Sequence, residues 1–434
     1  MGAEKYNKTV RVAIIGGGPG GLGAALELSR LSFVHWDLYE KKPQISETGG
    51  GISLQPHTWR LLDLNNVSQH INCDDFFRPS DGQVEQRRNG RSGDLIRATE
   101  SLLDVPPKHQ TCRLTRSKLQ AALLKGVDQT RVHVGKRLDR LEQTSNGRIL
   151  LFFNDGHEDE VDLLIGADGI RSSIREACFP GETLHYSGQC VYRTVIRKAD
   201  AQQIKGIPWA PVFWKHKSGL YVYTCPLGND DFEVTARIRQ PKNGEGQVSW
   251  GRPYKFDNLL HEFTDFCEPV QHILRVAAKG ETQEFALLSG PRSRSMAFGG
   301  NIALIGDAAH ALCGNFGAGA GFALEDVYTL TESLAWAYRS DIPIADALSL
   351  YNSIRSPYYK RLYATMDKFA AIKSALKDSR LPIDEEIEAR ITRIANASES
   401  WMYYHDIVGA VAKAIYNADG SITTSSTVNV PKGL

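Results

Sequence analysis

The apolar positions of the chain follow two different rhythms. A continuous apolar run from Val10 to Ile15 breaks into Gly16-Gly17-Gly18-Pro19-Gly20-Gly21. A helical run from Leu22 to Leu31 follows, and then a second apolar stretch from Phe33 to Tyr39 that ends on Glu40. Short continuous runs bounded by turn residues predict strands buried on both faces, as in a parallel sheet covered by helices. The same texture returns from Val161 to Gly166 and from Gly300 to Gly306. Between Cys178 and Pro291 the pattern alternates instead, in Cys190–Ile196, Gly219–Pro226 and Phe232–Ile238. Alternation predicts antiparallel strands with one buried face and one face toward a cavity. Hairpin turns are expected at Ser145-Asn146-Gly147 and Asp155-Gly156. Helices are expected at Pro56–Leu64, at Thr115–Leu124, from near Gly317 to Tyr338 and over most of Asp346–Asn417, with Ser421–Leu434 as a polar tail.

The fold class that follows is α/β. A doubly wound parallel-sheet domain is drawn from residues 1–75, 108–177 and 292–345, an inserted antiparallel sheet from 76–107 and 178–291, and a helical C-terminal region from 346–434. Asp74–Pro107, polar and rich in arginine, reads as a surface excursion and strand edge.

Strand, glycine turn, helix, strand and acid, in that order, carry a specific chemistry. Gly16 permits the tight turn, Gly18 lets backbone approach a pyrophosphate, and Gly21 lets helix and strand pack closely. The N–H groups and positive end of the following helix favour phosphate. Glu40 closes the second strand, where a carboxylate can accept hydrogen bonds from the hydroxyls of a ribose. A dinucleotide is implied, and the acid does not settle which one. Doubly wound sheets hold ligands at the carboxyl ends of their strands. Asp168 and Gly169, in Gly166-Ala167-Asp168-Gly169, and Asp307, in Gly306-Asp307-Ala308-Ala309-His310, are delivered to such ends. The cluster Gly49-Gly50-Gly51 is either a plain flexible loop or a place where backbone passes close to something flat and bulky. Arg116, read alone, is either a solvated helix-start residue or a reach toward phosphate or ribose.

Composition mainly removes alternatives. A chain of 434 residues supports two or three interlocked layers. Its 51 basic and 50 acidic residues leave no electrostatic footprint for nucleic acid or an anionic membrane. Seven scattered cysteines without a CxxC suggest neither a disulfide framework nor a zinc site, so no metal is expected and a reducing, cytoplasmic compartment is. Met1–Lys8 has no apolar core for a signal peptide, and no run approaches the length of a membrane span.

Taken together, the GxGxxG with Glu40, the Gly166–Gly169 turn and the Gly306–His310 strand end resemble the fingerprints of FAD-dependent aromatic hydroxylases. These are the group A flavoprotein monooxygenases, and the resemblance is to their salicylate hydroxylase-like branch, including fungal secondary-metabolite members. Glu47–Ile52, Arg116–Leu119, Tyr351–Tyr359 and Trp401–Asp406 add smaller echoes, so the likeness covers nearly the whole chain. It implies a Rossmann-like FAD-binding domain of the glutathione reductase type, with the antiparallel sheet as substrate domain. FAD would be the cofactor, NADPH or NADH a transient reductant, and the partners an aromatic small molecule and O2, in a monomer or homodimer. Residue by residue, Glu40 would bind the adenosine ribose and Arg116 the FAD pyrophosphate or ribityl chain. Asp307 would bind a ribityl or ribose hydroxyl, and Asp168 would lie near the pyrophosphate and the path of the nicotinamide. Gly50 and Gly51 would pass beside the flavin. Gly319 and Ala320 would let the ring approach a helix N-terminus whose dipole stabilises negative charge on the reduced flavin. One departure stands out: the group carries a proline where this chain has Gly314.

An oxygen transferred from the flavin is electrophilic, so the substrate carbon must be electron-rich and a phenol is best presented as phenolate. Arg193, sharing a strand face with Val191 and Val195, is the expected cation for a phenolate or carboxylate. Tyr221 and Tyr223 alternate onto one face of another strand and are the accompanying catalytic candidates. Phe213 and Trp214 are expected in the pocket wall, and His310 to satisfy local backbone. His57 is open between a base and a structural group. Competing readings are an epoxidase of an indole or alkene, an amine oxidase or dehydrogenase, and an FAD-fold protein that binds without catalysis.

Overall fold

The computed structural model describes residues 9–47, 50–102, 104–240, 250–293 and 295–426. Met1–Lys8, Thr48 and Gly49 of the glycine cluster and residues 427–434 of the expected tail lie outside them.

The first layer is a six-stranded sheet in the order Ala297–Phe298, Ile302–Leu304, Leu163–Gly166, Val10–Ile15, Val34–Glu40, Val132–Val134. Every neighbouring pair is parallel except the short edge strand Ala297–Phe298. Val12, Ala13, Ile14, Leu38, Leu163, Leu164, Ile165, Ile302, Ala303 and Leu304 are fully buried, as continuous apolar strands require. Helix Pro19–Leu28 packs on helix Gly319–Arg339. An antiparallel three-stranded sheet, Leu138–Gln143, Ile149–Phe153 and Glu158–Val161, places Ile149, Leu151 and Phe153 in the same core. There Phe153 meets Tyr39 with ring centroids 4.5 Å apart.

The second layer is an eight-stranded sheet: Trp250–Tyr254, Thr282–Ser289, His185–Arg197, Asp231–Arg239, Tyr221–Pro226, Val212–Lys215, Gln83–Asn89, Leu95–Glu100. It is antiparallel throughout except where Val212–Lys215 runs parallel to Gln83–Asn89, which joins the Asp74–Pro107 excursion to the sheet. One face is apolar. Tyr192, Val234, Val222 and Trp214 pack there on helix Glu268–Ala277 and the turn Phe256–Phe263, forming a second, separate core. A second three-stranded sheet is formed by Gly51–Leu54, Cys112–Thr115 and Phe76–Phe77. Helices Ile344–Lys377, Ile383–Ala397 and Ile407–Ser426 complete the chain. The last of these runs on through residues 421–426, where the polar composition predicts tail. No helix among the described residues is long and apolar enough to cross a membrane.

Candidate active site

The glycine turn is built on contacts that leave no room for side chains. Gly16 has φ +113°, and a Cβ there would stand 2.4 Å from the Ala167 carbonyl oxygen. A Cβ on Gly21 would stand 1.8 Å from the Gly16 carbonyl oxygen. Gly18 faces open space instead, with nothing within 4 Å of an added Cβ. Glu40 reaches back over this turn: one carboxylate oxygen accepts from Gly17 N–H at 2.7 Å and the other from Lys42 N–H at 2.8 Å. Each oxygen retains a lone pair for a further donor.

The second strand end contributes mainly through backbone. Gly169 has φ +80° and open space before it. The Asp168 carboxylate accepts from Ser173 N–H at 2.8 Å, capping the short helix Ser173–Cys178, and its Oδ1 is buried without a partner. The third strand end is locked from behind. Arg175 donates to the carbonyls of Asp307, Ala308 and Ile170 at 3.3, 2.9 and 2.8 Å. Asp326, fully buried, accepts from Gly306 N–H at 2.9 Å, His310 Nε2 at 2.7 Å, Arg355 Nε at 2.8 Å and the Tyr359 hydroxyl at 2.9 Å. Glu325 beside it pairs with Arg355 at 2.9 Å and His405 at 3.3 Å. Burial alone would raise both carboxyl pKa values. His310 and Arg355 for Asp326, and Arg355 and His405 for Glu325, outweigh it and hold both below the usual range.

This network corrects the expectation for His310, which bonds a carboxylate, not backbone, and stacks on Tyr359 with centroids 3.6 Å apart. His57 is held by backbone instead. That ring is buried, its Nδ1 lies 3.1 Å from the Tyr403 carbonyl, and burial lowers its pKa.

In front of this lock the Asp307 carboxylate stands open in the cleft and makes no hydrogen bond among the described residues. The enclosing walls push its pKa up, opposed by His310, Arg116 and Arg175. Arg116 pairs with Glu47 at 3.0 Å and faces Asp307 across the cleft. Helix Gly319–Arg339 begins two residues after the predicted start, with no side-chain cap and open space before Gly319. The first N–H groups of a helix, here those of Gly319 and Ala320, have no intrahelical acceptor. The preceding loop places Cys313, Gly314, Phe316 and Gly317 at positive φ, with Gly314 at +65°. Proline, fixed near −65°, cannot occupy that conformation.

The open face of the eight-stranded sheet forms the other wall. Cross-strand partners share a face, and Gln283, Arg193, Thr235, Tyr223, Phe213 and Arg87 follow one another in register. The next row on this face is Phe285, Val191, Arg237, Tyr221 and Lys215. Trp214 therefore points the other way, into the second core, where it donates to Thr224 at 2.9 Å. Only Phe213 is in the wall. Glu233 lies on the open face too. It pairs with Arg113 and sits against the Gly50–Gly51 strand, where a Cβ on Gly50 would stand 2.6 Å from its Oε1.

Arg193 has no acceptor among the described residues. Its Nε is buried and unpaired, and its guanidinium lies 5.5 Å from the centroid of the Phe285 ring. Burial lowers its pKa, with Arg116 and Arg113 acting in the same direction against Glu233. Tyr223 is buried over Arg113 at 5.1 Å, and burial raises its pKa well above that of free tyrosine. Tyr221 is more open, between Arg237 at 5.5 Å and Lys215 at 4.2 Å. The structure thus brings the three strand ends, Arg116 and the Gly319 helix start to one cleft, with Arg193, Tyr221 and Tyr223 on its other wall. A separate groove of about 810 Å³ lies at the other, amino-terminal ends of the parallel strands, beside Val10, Val34 and Asn301. Its Arg11, Arg148 and Asp162 are paired with protein groups.

A cleft with a glycine turn, a ribose-competent acid, an unpartnered second carboxylate and an uncapped helix start defines a flavoprotein-type nucleotide-binding protein. The chain belongs to the FAD-binding domain family, whose model matches residues 9–365. It is similar to a salicylate hydroxylase of Pseudomonas putida, 28% identical with 94% of this chain and 96% of that enzyme covered. A 6-methylsalicylate 1-monooxygenase of Aspergillus terreus is 29% identical, with 83% and 82% covered. A solved salicylate hydroxylase substrate complex superposes with a TM-score of 0.76, covering 94% of this chain and 98% of that one, at 23% identity. The groups present fit FAD. Gly18 and Gly319 face open space, and Asp307 and Asp168 Oδ1 lack the donors a ribityl hydroxyl or bound water would supply.

Arg113, Glu233, Arg175, Arg355 and Lys215 escape sequence reasoning. Only Glu325-Asp326, two adjacent acids set between the apolar Phe322-Ala323-Leu324 and Val327, signals that buried cations must lie opposite.

Proposed function

We propose that this FAD-dependent monooxygenase uses NADH or NADPH to hydroxylate a phenolic or other electron-rich aromatic molecule held between the flavin and the open face of the antiparallel sheet. The observation that supports this reading is Arg193, a cation on the cleft wall with no protein acceptor. An unpaired buried charge is costly, and an anionic group of a ligand removes that cost. Bound FAD, once reduced, supplies the oxygen activated from O2. Everything else falls to the chain. Glu40 and the glycine turn hold the nucleotide, and Asp307 and Arg116 align its middle. The N–H groups of Gly319 and Ala320 present positive dipoles to the ring edge. Arg193 orients a carboxylate or phenolate, while Val191, Phe213 and Tyr223 exclude water and fix the aromatic plane. Tyr221 lies where its hydroxyl can bond a substrate oxygen.

Purified, flavin-loaded protein supplied with isotopically labelled O2 and a panel of phenols, benzoates and indoles tests this reading. At least one aromatic should stimulate NAD(P)H oxidation and carry the label into its product. Nicotinamide consumption that no aromatic changes, or label found only in peroxide or water, would overturn it.

A further inference from the structure

The open sheet face carries a lysine that the reading above does not use. Lys215 lies in register with Tyr221 and, through it, Arg237. Its Nζ is 4.2 Å from the ring centroids of both Phe213 and Tyr221, rings that meet edge to face at 5.3 Å. Glu85, the acid that faces it, is engaged by Arg87 at 2.5 Å. The other charged groups around it are cations: Arg87 from Gln83–Asn89, Arg237 from Asp231–Arg239 and Lys373 from helix Ile344–Lys377. Burial, then Arg87, Arg237 and Lys373 against the opposing pull of Glu85, bring its pKa well below that of a free lysine. A desolvated amine with cations around it is a proton acceptor. Arg87 beside it faces Tyr403, whose hydroxyl donates to the Phe316 carbonyl at 2.8 Å in the loop before helix Gly319–Arg339.

We propose that Lys215 is the general base that ionises the substrate's phenolic hydroxyl and, as ammonium beside Arg237, then holds the aryl oxide. The step moves one proton: Ar–OH and the amine become Ar–O⁻ and R–NH3⁺, with no bond to carbon changed and no electron transferred. Ionisation makes the ring carbon rich enough to accept an electrophilic oxygen, which ties the lysine to the reaction and makes this inference rest on the functional reading above. Arg193 and Lys215 stand three strand spacings and a two-residue step of register apart, about 16 Å at the backbone. Their long side chains narrow that gap, and the substrate class that spans it is an aromatic of one or two rings. It carries an anionic group at the Arg193 end and a hydroxyl at the Lys215 end.

A hydroxynaphthoate with hydroxyl and carboxylate on opposite rings is the probe, because its naphtholate absorbs and emits at longer wavelength than the naphthol. Bound anaerobically to the oxidised wild-type holoenzyme at neutral pH, it should show the naphtholate band and perturb the flavin spectrum. Lys215→Met and Lys215→Arg should keep their flavin, bind the probe about 10–100-fold more weakly at neutral pH, and show the naphtholate band only as pH approaches the probe's own solution pKa. In Lys215→Arg, which keeps a cation but accepts no proton, affinity should recover at that higher pH. If Lys215→Met does not retain flavin, Lys215→Arg alone decides. A naphtholate band with unchanged pH dependence in the flavin-loaded variants overturns the proposal and leaves the functional reading standing. A wild-type holoenzyme that binds no hydroxynaphthoate, hydroxybenzoate or resorcinol overturns the functional reading itself.

Discussion

Two arginines define the contrast between the halves of this molecule. Arg355, beneath the parallel-sheet strand ends, is fully buried and meets Asp326, Glu325 and Tyr359 at 2.8, 2.9 and 3.1 Å. Arg193, on the antiparallel sheet, is half-buried with no acceptor. The first half is built for a cofactor that never varies, and its buried acids Asp326 and Glu325 are paired with Arg355 and with His310 or His405, so that backbone stands ready in one shape. The second keeps charges uncompensated on one face, with a complete apolar core on the other, and so stores affinity for a ligand at some cost to stability. A buried ion pair is weak as a source of stability but expensive to break, whereas an unpaired cation is a cost from the outset.

The sharpest break of this contrast is in the glycine turn. Gly21→Ala sets a methyl 1.8 Å from the Gly16 carbonyl oxygen, and backbone cannot yield cheaply there. The purified variant should be colourless, with a flavin-to-protein absorbance ratio near zero. Next in size, Arg355→Met strands two buried carboxylates and should lower stability by about 3–5 kcal/mol in urea unfolding. Bound flavin should weaken with it, because Gly306 loses its anchor. Arg193→Met should do the opposite. Removing an unsatisfied cation is expected to leave stability unchanged or raise it by about 1 kcal/mol, while aromatic-stimulated turnover is lost. A matching fall in stability for both arginines would erase the distinction.

The smallest effect is on pH. Asp326 and Glu325 have folded pKa values below their unfolded ones, so the stability they contribute is complete above the ordinary carboxylate range of about 4 and is lost as pH falls through the folded values. Unfolding free energy should therefore drop with acid below that range in the wild type. The slope should flatten in Arg355→Met, where burial is no longer outweighed.

What the sequence makes legible divides along the same line. The strand-turn-helix order around Gly16, the acid at Glu40 and the strand ends at Asp168 and Asp307 are local, because each is a few residues whose pattern is their geometry. The helix Pro56–Leu64 was readable to the residue for the same reason. The second sheet is less so. Adjacent residues Phe213 and Trp214 look alike in sequence, but strand alternation puts one in the cleft and the other in a core, and only the pairing with Tyr223 and Val222 decides which. The four donors on Asp326 come from residues 306 to 359, and Arg175 finds two of its three carbonyls more than a hundred residues away. No local pattern encodes such partners. The isolation of Arg193 and the aromatic box around Lys215 exist only once strands are laid side by side.

The central question is whether the sheet-face cation belongs to the substrate. Wild type and Arg193→Met, both flavin-loaded, should be titrated with a hydroxybenzoate that stimulates wild-type turnover while the flavin absorbance is recorded. A saturable spectral shift is expected in the wild type and none in the variant at equal flavin content. An equal shift in both, or a variant that purifies without flavin, would contradict it.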